Sequence, residues 1–151
     1  MLLKPQQYAK KEKKFKRLKA PNVTPTAPQN KILVIEDSTA PMLGIDRAIR
    51  SIFQTKEYDI ATTLQDVFEK TPEKKYDIIL LDDNLPYTEQ DQPKSIGYKA
   101  IPKIRKIHPN TPIIGTSATA KKHPDLDATI TKQFGETVTT LHEAIQTLNQ
   151  H

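Results

Sequence analysis

From Lys31 onward, short apolar runs alternate with amphipathic stretches. Lys31-Ile32-Leu33-Val34-Ile35 is continuously apolar after its lysine and is closed by Glu36-Asp37. A run of that length with no polar face fits a strand covered on both sides in a parallel sheet. Ser38 is a helix N-cap candidate with Pro41 in the first turn, and Met42, Ile45, Ile49, Ile52 and Phe53 then repeat at helical spacing. Residues 58–62 read as a second strand, and Leu64, Val67 and Phe68 mark a second helix bounded by Pro72. Residues 76–81 read as a third strand ending in Asp82-Asp83. Ile101, Ile104 and Ile107 mark a third helix closed by Pro109. Pro102 predicts that it starts late, near Ala100, because proline is tolerated only in a first turn. Residues 112–117 form a fourth strand and residues 128–131 a weaker fifth. Val138, Leu141, Ile145 and Leu148 give a final amphipathic helix. This alternation predicts an α/β domain with a parallel sheet and helices on both faces.

Charge divides the chain. The 151 residues carry a net +5, but residues 1–29 hold eight Lys and Arg against the single Glu12, a local +7. Residues 30–151 carry 15 bases and 17 acids, or −2. The basic stretch runs into Ala20-Pro21-Asn22-Val23-Thr24-Pro25-Thr26-Ala27-Pro28, a linker composition. Residues 1–29 are therefore expected to be a solvated or partly helical arm, and residues 30–151 the folded domain. The stripe of Tyr8, Phe15 and Leu18 is too thin for a stable isolated helix. Residues 4–19 are the one stretch suited to an anionic surface or nucleic acid. The absence of cysteine excludes disulfides, thiolate metal sites and cysteine nucleophiles. No run of 18 apolar residues suggests a transmembrane segment, and the start lacks an apolar stretch of signal-peptide length. A cytoplasmic protein is expected.

The polar residues that matter stand where strands end. Ligands of an open α/β sheet bind beyond the carboxyl ends of its strands, near the switch point. Here those ends carry Glu36-Asp37, Asp82-Asp83, Ser117 and Lys132. Taken singly, each has an ordinary reading: a turn or cap for the acids, local turn chemistry for the serine, a solvated charge for the lysine. Their joint occurrence, in order, points further. Gathered carboxylates repel unless a cation sits among them, and three with backbone and water oxygens make a Mg²⁺ site. A divalent ion beside a carboxylate nucleophile suits phosphoryl transfer to that carboxylate. A lysine and a serine hydroxyl supply further contacts to the phosphoryl oxygens.

These residues carry a resemblance. Ile32-Leu33-Val34-Ile35-Glu36-Asp37-Ser38 is similar to the first strand and acidic pair of response-regulator receiver domains, the phosphoacceptor modules of two-component signalling. Asp77-Ile78-Ile79-Leu80-Leu81-Asp82-Asp83-Asn84-Leu85-Pro86 resembles the family's third strand, acceptor aspartate and following proline. Pro112-Ile113-Ile114-Gly115-Thr116-Ser117-Ala118 resembles its fourth strand, and Lys132-Gln133-Phe134 stands where the family has lysine, proline and an aromatic. The resemblance implies a doubly wound, flavodoxin-like sheet of order 2-1-3-4-5. It implies that Asp82 accepts a phosphoryl group from a histidine kinase or histidine phosphotransfer protein, and that the chain signals by binding a downstream protein. Asp37 and Asp82 would bind Mg²⁺ directly, Glu36 through water, and the Asn84 backbone carbonyl would complete the set. Ser117 and Lys132 would contact the phosphoryl group. Asp83, beside the acceptor, has no functional position in the motif.

Three departures stand out. Pro86 and Gly97 are 11 positions apart, longer than the family's usual spacing, and the extra residues 87–96 lengthen the loop beside the acceptor. Such a loop could cap the site, select a kinase or be a tolerated surface insertion. Ser117 and Lys132 are 15 positions apart, shorter than usual, which predicts a fourth helix of one turn or none. The family's switch aromatic is Thr129 here, so its usual output face is altered. Two other functions compete. One is an unphosphorylated interaction module. The other is a haloacid-dehalogenase-type phosphatase, which needs an acid where this chain has Asn84 and sets its nucleophile on the first strand.

Overall fold

The computed structural model describes residues 31–55, 57–118, 121–133 and 135–149. The basic arm, its linker and Phe134 lie outside the described residues. The chain runs β1 (Ile32–Ile35), α1 (Thr39–Phe53), β2 (Asp59–Ala61), α2 (Leu64–Lys70) and β3 (Ile78–Asp82). It continues through β4 (Asn84–Leu85), β5 (Lys94–Ser95), a 3₁₀ turn (Tyr98–Ala100) and α3 (Ile101–Ile107). β6 (Ile113–Ser117), β7 (Ala128–Thr131) and α4 (Thr137–Asn149) complete it.

Five strands pair in parallel, as the residue pattern predicts, in the order β2-β1-β3-β6-β7 that the resemblance implies. The apolar runs divide between two cores because successive strand side chains point to opposite faces. Ile32, Val34, Ile78 and Leu80 pack under α1 and α4. Leu33, Ile35, Ile79 and Leu81 pack under α2 and α3. After β1 the chain winds to one side to make β2 and then to the other to make β3. The carboxyl ends of β1 and β3 therefore flank the switch point, where a crevice forms.

No helix lies between β6 and β7 among the described residues, and other contacts close this short connection. Arg105 of α3 donates to the Thr111 carbonyl at 2.7 Å and pairs with Asp127 at 2.8 Å. Asp127 also accepts the Ile113 N–H at 2.8 Å, and its own N–H donates to the Ile113 carbonyl at 2.9 Å. Leu126 packs against the second core. Charged side chains thus tie down a segment that a helix would otherwise anchor by burial.

The insert folds back on itself as a hairpin. β4 and β5 pair antiparallel, Asn84 with Ser95 and Leu85 with Lys94. Leu85 is fully buried, worth about 1.5–3 kcal/mol for a leucine. The hairpin leans on α2, whose first-turn N–H groups on Leu64 and Gln65 donate to the Pro86 and Tyr87 carbonyls at 3.2 and 3.0 Å. Those are donors that a helix start leaves without intrahelical partners. Tyr87 also meets the Phe68 ring, with centroids 6.3 Å apart.

Candidate functional site

Glu36 follows β1 directly, and its N–H bonds the Ala61 carbonyl at the end of β2 at 3.0 Å. The chain then turns into α1 at Ser38. The Ser38 N–H donates to Glu36 Oε2 at 3.3 Å and its hydroxyl to Asp37 Oδ1 at 3.4 Å. Ser38 occupies the N-cap position with extended backbone angles, but its side chain serves Asp37 rather than the helix. Asp82 is the last residue of β3, and the carboxylates of Glu36, Asp37 and Asp82 offer ligand atoms all within 4.8 Å of one another. Glu36 and Asp82 are buried, while Asp37 is half-buried at the opening.

Lys132, just past β7, reaches into this cluster. Its Nζ lies 2.9 Å from Glu36 Oε1 and 3.1 Å from Asp82 Oδ1. One cation among three carboxylates leaves negative charge in excess. Burial pushes the Glu36 carboxyl above its usual range; Asp82 repulsion adds to this and Lys132 opposes it. Burial likewise raises Asp82, against Lys132 and the Asn84 N–H, which donates to its carboxylate. Burial works to lower Lys132, but its bonds and attraction to Glu36 and Asp82 outweigh it and raise the group. The Lys132 ammonium is held charged, and the acids are under strain that a divalent cation would relieve.

The remaining predicted residues fall nearby. Ser117 ends β6, one step past Thr116, the register partner of Asp82. Its Oγ accepts the Lys121 N–H at 2.6 Å. Asn84 stands exposed at the rim.

Sequence reasoning missed three residues at this end of the sheet. Asp83 is buried, accepting the Tyr98 N–H at 3.0 Å on Oδ1 and pairing with Lys121 at 2.7 Å on Oδ2. Its carbonyl takes the Gly97 N–H at 2.8 Å. A Cβ on Gly97 would collide with the Asp82 carbonyl oxygen, so only glycine lets the insert return this close to the end of β3. Tyr98 is buried in the second core, with its ring edge to His123. Gly97 directly before Tyr98 is the one local signal in the sequence, and nothing there marks Gly115 as the neighbour of that ring.

The response regulator receiver domain family matches residues 32–146. The chain belongs to that family. Its fold is similar to the N-terminal domain of a response regulator/sensory box/GGDEF three-domain protein from Carboxydothermus hydrogenoformans. That match has 20% identity and a TM-score of 0.60 over 80% of this chain and 94% of that one. It is also similar to the receiver domain of sensor histidine kinase PA1611 from Pseudomonas aeruginosa PAO1, whose active-site cleft coordinates a magnesium ion. There the identity is 23% and the TM-score 0.59, over 81% of this chain and 98% of that one. A two-component response regulator from Clostridium difficile matches at 19% identity and a TM-score of 0.58, over 80% and 95%. No curated protein matches the chain. Among the described residues no helix is long and apolar enough to cross a membrane.

Proposed function

We propose that the chain is a phosphoacceptor of a two-component or phosphorelay system, taking a phosphoryl group on Asp82 from a histidine kinase or histidine phosphotransfer protein. The observation that carries this reading is Lys132, whose ammonium bridges Glu36 and Asp82 while Asp37 completes a three-carboxylate cluster. A structural ion pair needs one acid per cation, and this arrangement has two acids too many.

In the reaction an Asp82 carboxylate oxygen attacks the phosphorus of a phosphohistidine. An O–P bond forms, the N–P bond breaks, and the electron pair stays on the leaving imidazole nitrogen. The Lys132 ammonium neutralises charge growing on the transferred oxygens, and the Ser117 hydroxyl, at the end of the neighbouring strand, would donate to one of them. Glu36, Asp37, Asp82 and the Asn84 carbonyl would hold Mg²⁺, and the ion would supply neutralisation of the negative charge that gathers during transfer. The donor set is all oxygen, as that ion requires. Output is by binding another protein.

Incubation with acetyl phosphate and Mg²⁺ tests the reading. The intact mass should rise by one phosphoryl group in the wild type and stay unchanged in Asp82→Asn. No gain in the wild type would leave an unphosphorylated interaction module as the function.

A further inference from the structure

Thr116 lies on β6 and is 1% exposed, and its Oγ1 has no hydrogen-bond partner among the described residues. Its register partners are Asp82 of β3 and Ile130 of β7. Ile114 and Leu80, two residues before Thr116 and Asp82, both pack in the core under α1 and α4. Side chains two apart on a strand share a face, so Thr116 and Asp82 project to that same side. Glu36, two after Val34, and Lys132, two after Ile130, project there as well, and their ends meet around Asp82. The Thr116 side chain therefore stands beside Asp82, one strand spacing away, about 4.7–4.9 Å.

A buried hydroxyl without a partner costs stability, and valine has the same shape without that cost. Packing alone gives no reason for threonine here. The register gives one. In the resting site Asp82 Oδ1 takes the Lys132 ammonium at 3.1 Å. Once one Asp82 oxygen bonds phosphorus, the other becomes an acyl carbonyl oxygen, and the negative charge lies on the phosphoryl oxygens. The Lys132 ammonium follows that charge. A buried carbonyl oxygen is then left in need of a donor. The Thr116 hydroxyl, with an uncommitted proton, is the register neighbour that can supply one.

We propose that Thr116 is a hydrogen-bond donor reserved for the phosphorylated site: its hydroxyl donates to the Asp82 carbonyl oxygen when the phosphoryl group is in place, and steadies the acyl phosphate. Ser117 follows Thr116 on the strand and so faces the other side of the sheet. The two hydroxyls thus divide the new group, Ser117 serving the phosphoryl oxygens and Thr116 the aspartyl oxygen. The inference rests on the reading of Asp82 as acceptor.

The test is calorimetric titration of beryllofluoride, which bonds a carboxylate oxygen as phosphorus would, into the full chain at saturating Mg²⁺. Thr116→Val should bind about 3- to 10-fold more weakly than the wild type, the worth of one neutral hydrogen bond. Thr116→Ser keeps the hydroxyl and should stay within about 2-fold of the wild type. Urea unfolding without Mg²⁺ or beryllofluoride separates packing from binding. There Thr116→Val should be at least as stable as the wild type, since it buries no unpaired hydroxyl. Unchanged affinity in Thr116→Val, an equal loss in Thr116→Ser, or a Thr116→Val protein that unfolds more easily or fails to fold overturns the inference alone. A wild type that binds no beryllofluoride overturns the phosphoacceptor reading, and the inference with it.

Discussion

The two ends of the sheet use the same residue types to opposite effect. At the amino-terminal end, carboxylates are matched to donors. Asp59 accepts from Tyr76 at 2.7 Å and Lys74 at 3.0 Å, Asp77 accepts the Lys31 N–H at 2.8 Å, and Asp127 holds Arg105 and the Ile113 N–H. At the carboxyl-terminal end, Glu36, Asp37 and Asp82 crowd around one lysine. The matched end holds elements together. The crowded end gathers like charges at a cost in stability, as the proposed cation and phosphoryl site would. Which end an acid occupies therefore decides whether removing it harms or helps the fold.

The largest effect is expected at the crowded end, from loss of its cation. Lys132→Met leaves the buried Glu36 and Asp82 carboxylates with no ammonium, which should cost about 3–5 kcal/mol without Mg²⁺. Urea unfolding measures this, and millimolar Mg²⁺ should restore part of it. At the matched end, Asp127→Asn weakens charge-assisted bonds to Arg105 and Ile113 and should cost about 1.5–3 kcal/mol, with no recovery on adding Mg²⁺. If Mg²⁺ rescued both variants alike, the contrast between the ends would be lost.

A smaller effect concerns packing beside the crowded end. A Cβ at Gly115 meets Leu126 Cδ1 at 2.5 Å and Tyr98 Oη at 2.6 Å. Gly115→Ala should cost about 1–3 kcal/mol through overpacking. Thermal unfolding of the double variant with Tyr98→Phe should show a favourable coupling, because one of the two colliding atoms is gone. Additive costs would mean that the hydroxyl does not fill that space.

The smallest effect is a pH dependence at the matched end. The Tyr76 hydrogen bond, helped by Lys74 and opposed by burial, holds the Asp59 carboxyl below its ordinary 3.8. A depressed carboxyl contributes stability that is present above its unfolded value and lost as pH falls through its folded one. Asp59→Asn should therefore flatten the acid limb of the stability profile below about pH 4, lowering the neutral plateau slightly while the two proteins converge in acid.

Much of this was legible in the sequence. The five strands, their ends and the residues Glu36, Asp37, Asp82, Ser117 and Lys132 could be placed because each apolar run stops at a polar residue and each helix has its own period. The reduced β6–β7 connection followed from setting the Ser117–Lys132 spacing against that usual in the family the chain resembles. The hairpin within residues 84–95 did not, since a ladder of two residue pairs has no periodicity to read. Asp83, Lys121 and Tyr98 were opaque for another reason. Their roles depend on contacts 15 and 38 positions apart along the chain, and a lone acid, a lone lysine and a tyrosine among apolar residues each look ordinary. Arg105 and Asp127 were hidden in the same way.

The most direct test of the crowded-end account is the unfolding free energy of the wild type and Asp82→Asn, each with and without Mg²⁺. Without the ion, Asp82→Asn should be the more stable, because Lys132 and Glu36 then form a balanced pair. With Mg²⁺ at a hundredfold excess over its Kd the wild type should gain about 2.7 kcal/mol, and the variant much less. An Asp82→Asn protein that is less stable than the wild type in the absence of Mg²⁺ would contradict the account.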